Sequence, residues 1–183
     1  EQAEKIGKTR VKEIVLTGVN IGDFGKTTGE SFLELIQRLD HVPGIERFRI
    51  SSIEPNLLSS EIIAFVAGSQ KFLPHFHVPL QSGSNAILAN MKRRYKREIL
   101  EDRIQQIKKH MPEAFIGVDV IIGFPGEDET RFQETLNFLH HLDVAYYHVF
   151  SYSRRPGTPA ADMKNKVPAH EIRRRSQILQ KLA

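Results

Sequence analysis

Apolar residues recur along this chain in two rhythms, and the two alternate. Short runs rich in β-branched and aromatic residues, at 11–17, 46–53, 75–80, 115–122 and 145–151, predict strands. Between them apolar residues return every three or four positions. Phe32, Leu35, Ile36 and Leu39 share one face of a predicted helix; Leu100, Ile104, Ile107 and Met111 share another; Phe132, Leu136 and Leu139 a third. Ser59 and Ser84 stand where N-caps are expected, ahead of Ile62 and Ile87. Pro168 is placed for a first helical turn, and a last helix is expected through Ile172, Leu179 and Leu182. Successive strands start roughly 30 to 40 residues apart, the length of a βα unit with parallel strands. The fold class is therefore α/β, as an open doubly wound sheet or part of a (β/α) barrel. No GxGxxG or Walker-type loop occurs, which counts against the nucleotide-binding doubly wound folds. Residues 1–8 read as the tail of a helix, so the chain is expected to start inside a βα series, as a fragment.

Alternation along the strands shows where polar groups point inward. In 115–122, Ile116, Val118, Val120 and Ile122 form one apolar face, while Phe115, Gly117, Asp119 and Ile121 form the other. A carboxylate midway along a strand must be paired or bound to something. In 75–80, Phe76, Val78 and Leu80 face one way and His75, His77 and Pro79 the other, with Gln81 following. Two histidines at i and i+2 without a third ligand at a telling spacing read as hydrogen-bonded interior residues, so no metal site is expected in this chain. Four successive strands end near Asn20, Glu54, Gln81 and Asp119. The C-terminal strand ends carry the site in a barrel. Glu, Gln and Asp are natural partners of a ribose diol or an ammonium group. Gly123-Phe124-Pro125-Gly126-Glu127 then reads as a tight turn, or as backbone that lets a flat ligand approach.

Composition narrows the chemistry. The 183 residues hold no cysteine, 26 Lys+Arg against 22 Asp+Glu, and a net charge of +4. Within this chain that excludes a disulfide scaffold, a thiol nucleophile and a cysteine-held zinc or iron–sulfur centre. No apolar run suits a membrane span, and residues 1–10 do not read as a signal peptide, so a cytoplasmic setting without a membrane partner is expected. The mild positive charge allows a polyanionic partner. Its densest runs are Lys92–Arg97 and Arg154–Arg155, the second preceded by Tyr152, whose ring could stack on a base. At least one arginine of the first run could fold back to the rim with Gln81. Arg173-Arg174-Arg175 on the last helix reads as a solvated face.

Four blocks, in order and spacing, resemble the radical SAM methylthiotransferases. They are His77-Val78-Pro79-Leu80-Gln81-Ser82-Gly83-Ser84; Met91-Lys92-Arg93-Arg94-Tyr95; the stretch from Gly117 through Asp119 and Gly123 to Glu127; and the stretch from Tyr152 through Arg154-Arg155-Pro156-Gly157-Thr158 to Ala161. The stretches from Glu13 to Asn20, Ser51 to Pro55 and His148 to Ser153 look most like the branch acting on threonylcarbamoyladenosine in tRNA. The branches acting on isopentenyladenosine or on a ribosomal protein are the alternatives within the family.

The resemblance implies a partial, TIM-like (β/α) barrel with parallel strands, here without its first strand and cluster loop. Residues 1–183 would be a core fragment of about five βα units and a C-terminal helix. The N-terminal cluster domain and the C-terminal RNA-binding domain would be absent. It implies S-adenosylmethionine and, in the full-length protein, two [4Fe–4S] clusters whose ligands this chain lacks. It implies methylthiolation at C2 of the modified adenosine beside the anticodon, with the fragment itself inactive. Glu54 would hold the methionine amino group or a neighbouring polar atom of the cofactor, Gln81 and Asp119 the ribose hydroxyls, and Arg93 the methionine carboxylate. Asn20 and Gly123 would complete the cofactor set, Gly123 near the adenine. Arg94, Arg154, Arg155 and Tyr152 would meet the tRNA anticodon stem-loop. No catalytic side chain and no sulfur donor are assigned. The open barrel edge near 11–17 could pair two copies into a dimer. Two readings outside the family stand beside this one: an RNA-binding module built on the basic runs, and a metabolic (β/α)-barrel enzyme with Asp119 and Glu54 as acid and base.

Overall fold

A computed structural model describes residues 1–182. The chain runs α1 (Gln2–Gly7), β1 (Glu13–Leu16), α2 (Phe32–Asp40), β2 (Arg47–Ile50), α3 (Ser60–Gly68), β3 (His75–Gln81), α4 (Asn85–Asn90), α5 (Arg97–His110), β4 (Phe115–Ile122), α6 (Glu129–His140), β5 (Tyr146–Ser151) and α7 (Ala169–Gln180), with short 3-10 turns at Ile21–Asp23 and Pro159–Asp162. The alternation read from the sequence is thus the alternation found. The first two strands are shorter than expected at both ends, their flanking residues being irregular.

The strands form two sheets. β1 and β2 pair in parallel, Glu13 opposite Arg47 and Leu16 opposite Ile50. The second sheet has the order β3-β4-β5, with β4 and β5 parallel and Asp119 opposite His148. No closed ring of paired strands forms among the described residues, as expected of an incomplete barrel. The chain divides into two compact units. Unit 1 comprises residues 1–78 and 103–116, unit 2 residues 79–102 and 117–183.

In unit 1, Ser31 caps α2 in a reciprocal box with Glu34, each side chain bonded to the other residue's backbone N–H. The expected Ser59 cap accepts the Ile62 N–H. Glu13 bridges Arg47 and Arg49 across β1 and β2, and both guanidinium groups hold its carboxyl below the usual carboxylate range. Phe48 stacks on Phe72 at 5.1 Å, within a core that includes Ile36, Ile50, Ile62 and Ile63.

In unit 2, the apolar face of β4 is fully buried: Val118, Val120 and Ile122 are each 0% exposed. Burying such a side chain contributes about 1.5–3 kcal/mol. Leu80, Leu88, Phe132, Leu139 and Leu179 complete this core. Ser84 precedes α4 without a side-chain cap bond; its hydroxyl donates to Glu134 of α6 instead, at 2.5 Å. Pro168 sits one residue before α7, at the cap position. Gly117 keeps β4 bare where the Tyr146 ring of β5 lies across it; a Cβ there would meet that ring at 2.1 Å.

Candidate cofactor site

In unit 2 the ends of β3, β4 and β5 open onto a cavity of about 650 Å³. Each wall has a local cause. β3 ends at Gln81, whose backbone is left-handed, with φ +71°. A glutamine there carries strain of order 1 kcal/mol or more, tolerated where the surroundings over-determine it. The loop that follows is pinned: Ser82 Oγ lies 3.3 Å from Thr135 Oγ1 and accepts the Ser84 N–H, and Gly83 O accepts from Arg97. Two residues past the end of α4 comes a second left-handed residue, Lys92, with φ +59°. Tyr95 is buried and donates its hydroxyl to Pro79 O at 2.8 Å, tying the basic segment back to β3. Lys92 and Arg93 therefore reach the cavity, while Arg94 stays exposed.

The second wall is the polar face of β4 with its neighbour β5. Asp119, Ile121 and, beyond the strand, Phe124 line the cavity. Asp119 is 17% exposed, and His148 Nδ1 lies 3.4 Å from its Oδ1. Burial, and after it the Asp119 charge, push the Tyr146 phenol above its ordinary range. Phe150 and Tyr152 close the far side, and Arg155 adds a third cation to Lys92 and Arg93. Applying the alternation argument to β5 would have found Phe150 and His148, which share its exposed face.

Gln81, Arg93 and Asp119 line this cavity, and Arg155 joins them. Asn20 and Glu54 belong to unit 1: Asn20 caps the Ile21–Asp23 turn and its amide donates to Asp23, while Glu54 O accepts the Leu57 and Leu58 N–H groups. Gly123 lines a smaller neighbouring cavity of about 190 Å³. The space its missing side chain leaves is filled by Ile172 of α7, which a Cβ would meet at 2.4 Å. At this turn the glycine therefore admits a helix. Tyr152 packs edge-on against Phe124 at 5.3 Å, and its hydroxyl is buried. Arg154 is exposed, 3.9 Å from Asp162.

Chemically, the cavity offers a carboxylate acceptor, three basic side chains and an apolar wall. Gln81 Oε1 is buried, and no described residue donates to it. An orphaned acceptor is costly unless a ligand donor meets it. A polyol with an anionic group and a flat apolar portion matches this set, and S-adenosylmethionine has those features.

The chain matches the model of the Radical SAM superfamily over residues 1–139, and it belongs to that superfamily. It is 43% identical over 169 residues to the threonylcarbamoyladenosine tRNA methylthiotransferase MtaB of Bacillus subtilis, covering 91% of this chain and 38% of that protein. It is 38% identical over 181 residues to the tRNA-2-methylthio-N(6)-dimethylallyladenosine synthase of Acetivibrio thermocellus, covering 98% of this chain and 38% of the relative. The chain thus spans about two-fifths of the length of these relatives. Among solved structures it superposes on the radical S-adenosylmethionine methyltransferase TsrM from Kitasatospora setae with a TM-score of 0.69 at 16% identity, over 87% of this chain and 31% of that one. It superposes on coproporphyrinogen III oxidase (HemN) from Escherichia coli with a TM-score of 0.68 at 14% identity, over 98% of this chain and 42% of that one. These likenesses establish the fold. No described helix is long and apolar enough to cross a membrane.

Proposed function

We propose that this chain is the core fragment of a tRNA methylthiotransferase acting on threonylcarbamoyladenosine, and that the unit 2 cavity holds the nucleoside end of S-adenosylmethionine. The observation that carries the cofactor reading is a buried Gln81 Oε1, to which no described residue donates, in the same cavity lining as the Asp119 carboxylate. Substrate choice rests on kinship. MtaB proteins of Bacillus subtilis and Aquifex aeolicus, at 43% and 39% identity, support threonylcarbamoyladenosine. The dimethylallyladenosine synthases at 38–39% stand close behind and define the second reading.

Bound S-adenosylmethionine and the iron–sulfur clusters would supply the radical chemistry and the sulfur; the 183 residues contain no cysteine to ligate a cluster. The chain's own groups bind and orient. Gln81 Oε1 accepts from one ribose hydroxyl and Asp119 from the other. Arg93 offers its guanidinium to the methionine carboxylate. Ile121 and Phe124 give the base an apolar wall. Gly123 shapes the turn beneath it. The roles of Glu54 and Asn20 rest on the family resemblance alone. Arg94, Arg154 and Arg155 would make phosphate contacts, and Tyr152 would stack only after turning from Phe124.

The test is a titration of the chain with S-adenosylhomocysteine, followed by NMR. Saturable shifts at Gln81 and Asp119, weakened about tenfold or more in Asp119→Ala, are expected from the loss of a charged hydrogen bond of about 1.5–3 kcal/mol. Equal affinity in the variant removes the ribose assignment. Substrate choice is read by giving the full-length protein transcripts carrying each modified adenosine.

A further inference from the structure

The last helix contains the only charged residue of its basic run that is not solvated. Arg175 is buried, 6% exposed, on the same stripe as Ile172, Ser176 and Leu179. Its partner, Glu127, has no exposed side-chain surface. Nη1 of Arg175 donates to Glu127 Oε1 at 3.0 Å and to Glu127 O at 2.8 Å, while Nη2 reaches Glu129 Oε2 at 3.3 Å. The guanidinium lies over the Phe132 ring, 5.2 Å from its centroid. Glu127 Oε1 also accepts the Gly123 N–H at 3.0 Å. One carboxylate oxygen thus joins the first amide of the 123–127 turn to a guanidinium on α7.

A buried ion pair is weak evidence of stabilisation, since desolvation offsets most of the attraction. Here burial outweighs the partners and raises the Glu127 carboxyl above its usual range. Stability alone does not account for the arrangement. What the pair does fix is position. Phe124, inside this turn, is a wall of the larger cavity, and Gly123 adopts φ +83° with Ile172 packed against it. Within the turn the Glu127 N–H donates to Phe124 O at 3.0 Å; from outside it Asn165 O accepts the Gly126 N–H at 2.6 Å and Arg131 donates to Gly126 O at 3.3 Å, both at its far end.

We propose that Arg175 is a positioning residue for the nucleoside cavity: through Glu127 it holds the 123–127 turn, and so the Phe124 wall, at the spacing a bound nucleoside requires. The inference rests on the cofactor reading above. It assigns α7, which contributes no lining residue to the larger cavity, a part in setting that cavity's affinity.

The experiment titrates the complete chain with S-adenosylhomocysteine and measures exchange of the Gly123 amide in the same samples. Arg175→Met is expected to lose protection at Gly123 and at least tenfold in affinity. Arg175→Lys, which keeps a donor to Glu127, is expected to recover part of both. Leu179→Ala, which loosens α7 without touching Glu127, is expected to stay within about twofold of the parent affinity. If Arg175→Met does not fold, the neutral pair Glu127→Gln with Arg175→Met replaces it, with the same expected loss. Unchanged affinity in the Arg175 variant, or an equal loss in Leu179→Ala, overturns the proposal. Absence of binding by the parent chain is a different failure: it removes the cofactor reading and the inference with it.

Discussion

Tyr147 shows at residue scale how one buried group sets a pH limit. Its hydroxyl donates to Leu139 O, and burial pushes the phenol up to about 12. The folded chain therefore keeps a proton that the unfolded chain releases near pH 10. The contribution is complete below pH 10 and is lost as pH rises through about 12. Tyr147→Phe should flatten that alkaline loss in urea titrations run across this window; parallel curves would show the phenol to be irrelevant. Asp119 shows what sequence can reveal at this scale. A carboxylate inside an alternating apolar strand is conspicuous, and it does line the cavity. Arg175 shows what sequence hides. Its neighbours Arg173 and Arg174 are exposed, and a run of three arginines reads as solvent-facing. The stripe from Ile172 to Leu179 marks the buried face, but only the distant Glu127 explains a guanidinium on it.

At the scale of elements, strands β3 and β4 were legible because a period of two separates a buried face from a polar one. The turn after β4 was legible as a turn, from Pro125-Gly126, but its purpose was not. Gly123 faces Ile172 of a helix far along the chain, and no local pattern reports that contact. Gly123→Ala is therefore expected to destabilise the chain by about 1–3 kcal/mol, from the positive φ and the displaced helix together. A lowered urea midpoint at unchanged slope would show this, and an unshifted midpoint would mean that α7 yields freely. Gly117→Ala should act on β5 by displacing the Tyr146 ring. The expected sign is altered ring shifts at Tyr146 and at His148, whose centroid lies 4.7 Å away.

At the scale of the whole molecule, charge and missing ligands make the predictions. Replacing Arg154 and Arg155 together with serine should weaken tRNA binding and flatten its dependence on salt, because each lost phosphate contact releases fewer counterions. An unaltered slope would assign these exposed arginines elsewhere. The chain reconstituted with iron and sulfide should show no stoichiometric iron–sulfur absorbance, since it has no cysteine. The division into two units has a consequence for synthesis. Unit 1 takes in residues 103–116, which follow a whole segment of unit 2, and unit 2 resumes only afterwards. A ribosome delivering the chain from its N-terminus would hold unit 1 unfinished until that late segment emerged. Neither unit corresponds to a contiguous stretch that could be expressed alone, so a single cut between residues 102 and 103 would sever both folding units at once.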